Sequence, residues 1–231
     1  MSAEDQKRRA GEAAAALVQD GMTVGLGTGS TAAWFVKALG ARAAAEELKL
    51  TCVGTSRATE TLAEQVGLKL ASLDTAGEID LTVDGADEIG PGLSLIKGGG
   101  GALLREKLVW EASKRCVVIA DTAKRVATLG VFPLPVELVA FGHESTVRRL
   151  RARLDDLGLT VPPRLRTNNG QAFVSDNGNP IYDIDCGVID DPQRLAAALK
   201  ALTGVVEHGL FLNLASEALI GTDDGVERIR A

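Results

Sequence analysis

Three glycine-bearing segments hold most of the side chains that could do chemistry. The first, Gly25-Leu26-Gly27-Thr28-Gly29-Ser30-Thr31, stands between a strand-like run and a helical one. Glycines permit a tight turn there, and the N–H groups and hydroxyls of a helix start suit a phosphate or other anion. No lysine precedes Ser30 or Thr31, so this is not a Walker loop. The third glycine of a dinucleotide fingerprint would fall at Ser30. An ordinary capped turn is the bland alternative. The second segment, Val83-Asp84-Gly85-Ala86-Asp87-Glu88-Ile89, ends an apolar strand in two carboxylates three residues apart. Carboxylates that close can disfavour each other's ionisation and leave one as an acid. The competing reading is two solvated loop aspartates.

The third segment, Leu95-Ile96-Lys97-Gly98-Gly99-Gly100-Gly101-Ala102-Leu103-Leu104-Arg105-Glu106-Lys107, is the most informative. Successive glycines are entropically costly and bury nothing, so a purely structural reason for them is strained. They let backbone approach a small ligand, with Lys97 at one end. Glu106, about one turn into the next helix, could point back to the same pocket. Against that stands an exposed helical glutamate flanked by Arg105 and Lys107, and a surface lysine. Lys124, after a further strand, could add positive charge for an anion or be a solvated loop residue. His143 and His208 lack partners suggesting a triad, and Cys116 reads as core.

Composition narrows the classes. The chain has 231 residues, 45% hydrophobic and 24% charged, with a formal net charge of −6. An acidic balance argues against a general nucleic-acid or anionic-membrane binder, so any anion must be held by a few placed cations. Cys52, Cys116 and Cys186 are odd in number and far apart, unlike a zinc site or disulfide framework, which fits a reducing, cytoplasmic setting. Two histidines make a His-rich metal centre improbable. No segment approaches the roughly 18 apolar residues of a membrane span, and the N-terminus reads as a first helix, not a signal peptide.

The elements that must position these residues alternate. A helix through about Gln19 precedes a strand at Met22 to Leu26, and a second helix runs from Thr31 to Leu39. Strands are expected at 50–53, 68–70, 79–83 and 116–120, with helices at 58–66 and 102–113. Such alternation indicates a parallel sheet covered on both faces, whose ligands sit at the strands' carboxyl ends. After Phe132-Pro133-Leu134-Pro135 the texture changes. A strand at 136–140, a helix at 144–157, a hairpin pairing 171–175 with 181–186 around Asn177-Gly178, a helix from Asp191-Pro192 to Leu202, and a strand at 205–212 give the order β-α-β-β-α-β of a ferredoxin-like unit. The expected fold is therefore α/β: a Rossmann-like parallel-sheet domain (1–130 plus 206–231) carrying a smaller ferredoxin-like α+β domain (131–205).

Taken together, GLGTGST, VDGADEI, LIKGGGGALLREK, IADTAK, FPLPVE and the late GLF-to-GTDDGV stretch resemble ribose-5-phosphate isomerase type A over essentially the whole chain. The resemblance implies interconversion of ribose 5-phosphate and ribulose 5-phosphate in the pentose phosphate pathway, without metal or organic cofactor, by a homodimer. It implies that Thr28, Gly29, Ser30, Thr31, Asp84, Gly85, Ala86, Asp87, Lys97, Gly98, Gly99, Gly100 and Lys124 bind substrate. It makes Glu106 the proton acceptor, with Asp84, Asp87 and Lys97 as further catalytic groups; Asp84 is expected to assist ring opening. Rival readings are a sugar-phosphate sensor domain, an amino-sugar-phosphate deaminase and a CoA transferase. The sensor would need an attached DNA-binding module, for which no spare basic N-terminal segment is expected, and the motif set disfavours the other two.

Overall fold

Ser2 opens the first helix, Ala3–Ala15, with a reciprocal capping box to Asp5, which satisfies donors that a helix start would leave orphaned. The structure is a computed structural model and describes residues 2–230. Packing divides the chain into two units. The larger comprises the chain through Ala86, Arg105–Arg125 and the chain from Asn213; the smaller comprises Asp87–Leu104 and Val126–Leu212.

The larger unit is built on a six-stranded sheet ordered Val226–Arg230, Glu217–Gly221, Cys116–Asp121, Leu81–Gly85, Thr23–Leu26, Thr51–Gly54. Every neighbouring pair is parallel except the first, which is antiparallel. Cys116–Asp121 is buried along its whole length, as a central parallel strand covered on both faces must be. Phe35, Leu39, Leu26, Leu81, Val117 and Ile119 belong to its core. The second helix, Ser30–Glu46, runs past the expected end at Leu39. Gly40 lies inside this helix, and close packing accounts for the glycine, since a Cβ there would sit 2.6 Å from the Val66 side chain. The strand expected at 68–70 is reduced to a single bridge between Leu70 and Cys52.

The smaller unit holds Leu134–Leu138, helix His143–Asp156, Arg164–Leu165, Ile181–Ile184, helix Pro192–Lys200 and Val205–His208. Its four strands lie in the spatial order 4-1-3-2, all neighbours antiparallel, which is the ferredoxin-like arrangement. Leu150 and Leu154 from one helix, and Leu195 and Leu199 from the other, pack with Val136, Leu138 and Ile184.

Two expectations are corrected here. Ile181–Ile184 pairs with Arg164–Leu165 and Leu134–Leu138, and the hairpin expected around Asn177-Gly178 is reduced to one antiparallel bridge, Val174 to Pro180, closed by the Ser175 amide on the Asn179 carbonyl. Gln171–Ala172 instead folds back on Thr167–Asn168, around Asn169 and Gly170 at φ 50° and 79°. Both residues carry the positive φ that a two-residue type I′ turn requires. The strand expected at 205–212 is two strands in different sheets. Gly209 separates them, where a Cβ would lie 2.3 Å from the Lys97 carbonyl, and Leu210–Phe211 joins Leu95–Ile96 and Glu88–Ile89 in a three-stranded sheet. Residues 87–104, 126–130 and 206–212 group with the smaller unit, although they are expected in the larger one. Buried Glu88 helps bind them there, its carboxylate accepting from the amides of Gly130 (2.7 Å) and Phe132 (2.5 Å).

Candidate active site

In the larger unit the glycine-rich turn follows Thr23–Leu26 and the Asp84-Gly85-Ala86 turn ends the neighbouring strand. Asp84 is fully buried. Its Oδ1 accepts from the amides of Thr28 (3.0 Å) and Gly85 (2.7 Å), and its Oδ2 from the Trp110 indole (3.2 Å). Gly27 is required for this approach, because a Cβ would fall 2.2 Å from Asp84 Oδ1. Thr28 turns its hydroxyl toward a cluster of others: Thr55 Oγ1 at 2.7 Å, Ser56 Oγ at 2.9 Å and Thr59 Oγ1 at 3.1 Å. Thr55 and Thr59 in turn donate to the carbonyls of Leu26 and Gly27. The turn is therefore fixed from both sides, and Gly29, at φ 112°, caps Ser30–Glu46 with no side-chain cap bond. That leaves the helix start with exposed Gly29 and Ser30 and a favourable field for an anion.

Glu106 lies in the first turn of helix Leu103–Glu111 and is only 4% exposed. It stands four residues, one turn, before Trp110, so the two share a helix face. The exposed-glutamate reading fails on that burial. Lys124 ends the short turn Thr122–Lys124 after Cys116–Asp121, with the Asp121 carboxylate accepting from the Ala123 amide at 2.9 Å. It is half-buried. Cys116 is no nucleophile: burial first, and the charge of Asp84 second, push its thiol up to about 12.

In the smaller unit Lys97 is 2% exposed and its Nζ lies 5.4 Å from the Phe211 ring centroid, a cation–π distance. The surface-lysine reading fails there too. Gly98 has φ 100°, and a Cβ on it would meet Leu103 Cβ at 2.9 Å and Pro135 at 3.3 Å. Gly99 and Gly100 are exposed. The Gly99 amide donates to Asp87 Oδ2 at 2.7 Å. Asp87, half-buried, is thereby joined to the glycine segment, as Asp84 is joined to the Thr28 turn. The two histidines have structural partners: His143 Nδ1 lies 2.8 Å from the Tyr182 hydroxyl, and buried His208 lies beside Glu207.

Sequence reasoning missed Thr55, Ser56, Thr59, Trp110 and Phe211. A signal existed for Ser56 and Thr59, since Ser56 caps helix Arg57–Gln65 and accepts from the Thr59 amide. For Trp110 none did, because its polar partner Asp84 is remote in sequence.

Parallel strands whose carboxyl ends carry a glycine-rich turn, a buried aspartate and a helix start define an α/β protein of the kind whose ligands sit at that edge of the sheet. Residues 51–225 match the family model of ribose 5-phosphate isomerase A (phosphoriboisomerase A). The chain is 65% identical over 229 residues to ribose-5-phosphate isomerase A of Caulobacter sp. (strain K31), covering 99% of each chain. Among solved structures it is similar to ribose 5-phosphate isomerase A of Methanocaldococcus jannaschii (38% identity, TM-score 0.91, 100% of each chain). It is also similar to a D-ribose-5-phosphate isomerase in complex with phospho-erythronic acid (34% identity, TM-score 0.93, 100% of each chain). The chain belongs to the ribose 5-phosphate isomerase A family. That membership sets aside the sensor, deaminase and transferase readings.

Proposed function

We propose that this isomerase, in interconverting D-ribose 5-phosphate and D-ribulose 5-phosphate, uses Glu106 to carry a proton between C1 and C2 through an enediolate. Aldose–ketose isomerisation needs a base beside the two carbons and donors for the developing oxyanion. The burial of Glu106 at a helix start is the observation that carries the assignment, since a buried carboxylate on a fixed helix is a pre-positioned base. Lys97 and the amides of Gly98 and Gly100 stabilise the enediolate oxygen, while the Gly99 amide holds Asp87. Thr28, Gly29, Ser30, Thr31 and Lys124 hold the phosphate. The similarity to a structure containing phospho-erythronic acid supports this, because a planar carboxylate on a phosphorylated carbon chain imitates an enediolate.

The ring-opening role expected of Asp84 passes to Asp87. Asp84 is fully buried and already accepts three N–H donors, which suits orienting the Thr28 turn with Gly85 and Ala86. Asp87 is half-buried and has one oxygen on Gly99, which suits proton exchange with the ring oxygen. The chemistry asks for neither metal nor organic cofactor. Three free cysteines support a reducing, cytoplasmic setting, and no helix among the described residues is long and apolar enough to cross a membrane. A homodimer is the assembly the family resemblance leads us to expect, and light scattering of the purified chain tests it. The function is tested by following ribulose 5-phosphate formation from ribose 5-phosphate in the presence of a chelator. Sustained turnover is expected; no turnover, or turnover lost on chelation, overturns the reading.

A further inference from the structure

Arg166, outside the residues assigned above, has polar partners on two separate segments. Its Nε and Nη2 donate to the two oxygens of Asp183 at 2.9 and 2.5 Å. Its Nη1 donates to the carbonyl of Gly98 at 2.8 Å and to that of Gly99 at 3.1 Å. The guanidinium lies 5.8 Å from the Phe173 ring centroid, and that ring stands 2.3 Å from where a Cβ on Gly101 would be. Arg166 is itself fixed, its amide donating to the Ile181 carbonyl and its carbonyl accepting from the Phe173 amide, both at 2.8 Å. Only a planar fork can hold a carboxylate in a bidentate pair and still aim a third nitrogen at two carbonyls.

The Gly98 carbonyl and the Gly99 amide belong to one peptide group, and in a trans peptide they point in opposite directions. Arg166 holds one end of that plane and Asp87 the other. The next plane is held at its carbonyl end, Gly99 O, so the Gly100 amide is turned away from the guanidinium. The Gly101 amide also reaches the Gly98 carbonyl, at 2.9 Å, but that turn is internal to the segment; glycines have no side chain to resist rotation about φ and ψ, and Arg166 and Asp87 grip the segment from outside it.

We propose that Arg166, braced by Asp183, is a positioning residue for the isomerisation: it fixes the peptide planes of Gly98 and Gly99, and through them Asp87, in the orientation that meets substrate. The inference rests on the reading that the Lys97–Gly100 segment and Asp87 contact the sugar phosphate.

The test uses the full-length Arg166→Lys and Asp183→Asn variants, with Arg166→Ala as a third. Amide hydrogen exchange at Gly99 is read beside kcat, KM and thermal melting. Faster Gly99 exchange is expected, with kcat/KM down roughly 10- to 100-fold, the scale of a small misplacement at a reacting centre. Added methylguanidinium should restore part of the Arg166→Ala activity, which a loss of stability alone would not allow. Unchanged Gly99 exchange in folded Arg166→Lys overturns the clamp. Faster exchange with undiminished kcat/KM in all three variants overturns the link to catalysis. Wild-type kcat/KM in Lys97→Met would instead break the underlying reading of the segment, while leaving the Gly99 exchange result intact.

Discussion

The indole nitrogen of Trp110 donates to Oδ2 of Asp84 at 3.2 Å, joining the helix that carries Glu106 to the strand end that carries the Thr28 turn. Asp84 Oδ1 is already engaged by the Thr28 and Gly85 amides, so one carboxylate fixes both the turn and the rotation of the helix about its axis. Glu106 stands one turn before Trp110 on the same face. The proposed base therefore sits on a helix face held in place by Trp110, which is itself buried.

Replacing Trp110 by Phe keeps most of the buried volume and removes the N–H. A hydrogen bond to a charged group contributes about 1.5–3 kcal/mol, so a lowered thermal midpoint is expected. A fall in kcat on the order of 10-fold, with KM little changed, should accompany it. A variant that loses stability but keeps full kcat would show that the indole serves packing alone.

Lys124 sits at a strand's carboxyl end and is half-buried. Lys124→Ala should raise KM on the order of 10-fold with kcat near wild type, because a phosphate contact is made equally in ground and transition states. Initial-rate kinetics across ribose 5-phosphate concentrations decide this, and a pure kcat defect would contradict a phosphate-holding role.

Glu217 opens the strand that returns the C-terminal segment to the main sheet, and its buried carboxylate is paired with Arg228 and Arg115. The bonds from Arg228, and then Arg115, hold its carboxyl below the ordinary value of 4.5, against the opposing effect of burial. A lowered folded-state value means its contribution is complete above about pH 4.5 and fades as pH falls through the lower value. Glu217→Gln should cost about 1–3 kcal/mol near neutral pH and flatten the acid-side loss of stability. Urea unfolding at a series of pH values reads both effects; parallel curves for the two proteins would refute the pairing's role.

The site's segments were legible in the sequence because each carries local chemistry. Gly27 must admit Asp84, Gly98 must fit against Leu103 and Pro135, and both demands leave a glycine in the chain. The β-α-β-β-α-β order was legible too, since periodicity and caps such as Asp191, which accepts from the Arg194 amide at 2.9 Å, are local signals. What stayed hidden was pairing over distance. Two Asn-Gly turns lie in the smaller unit: the two-residue hairpin forms at Asn169-Gly170, whereas Asn177-Gly178 closes only a single bridge between Val174 and Pro180. The second turn is instead pinned by buried Glu137, which accepts from Ser175, Asn177 and Asn179. Trp110 with Asp84, and Arg166 with the glycine carbonyls, are likewise invisible without coordinates, because neither partner marks the other in sequence.

The central claim is that Glu106 moves the proton. Glu106→Gln keeps the shape of the side chain and removes its basicity. The decisive measurement is its kcat for ribose 5-phosphate, taken beside its affinity for phospho-erythronic acid. Turnover should fall roughly 100- to 10,000-fold, the scale of a lost general base, while the acid still binds. Turnover within a few-fold of wild type in that variant would contradict the account.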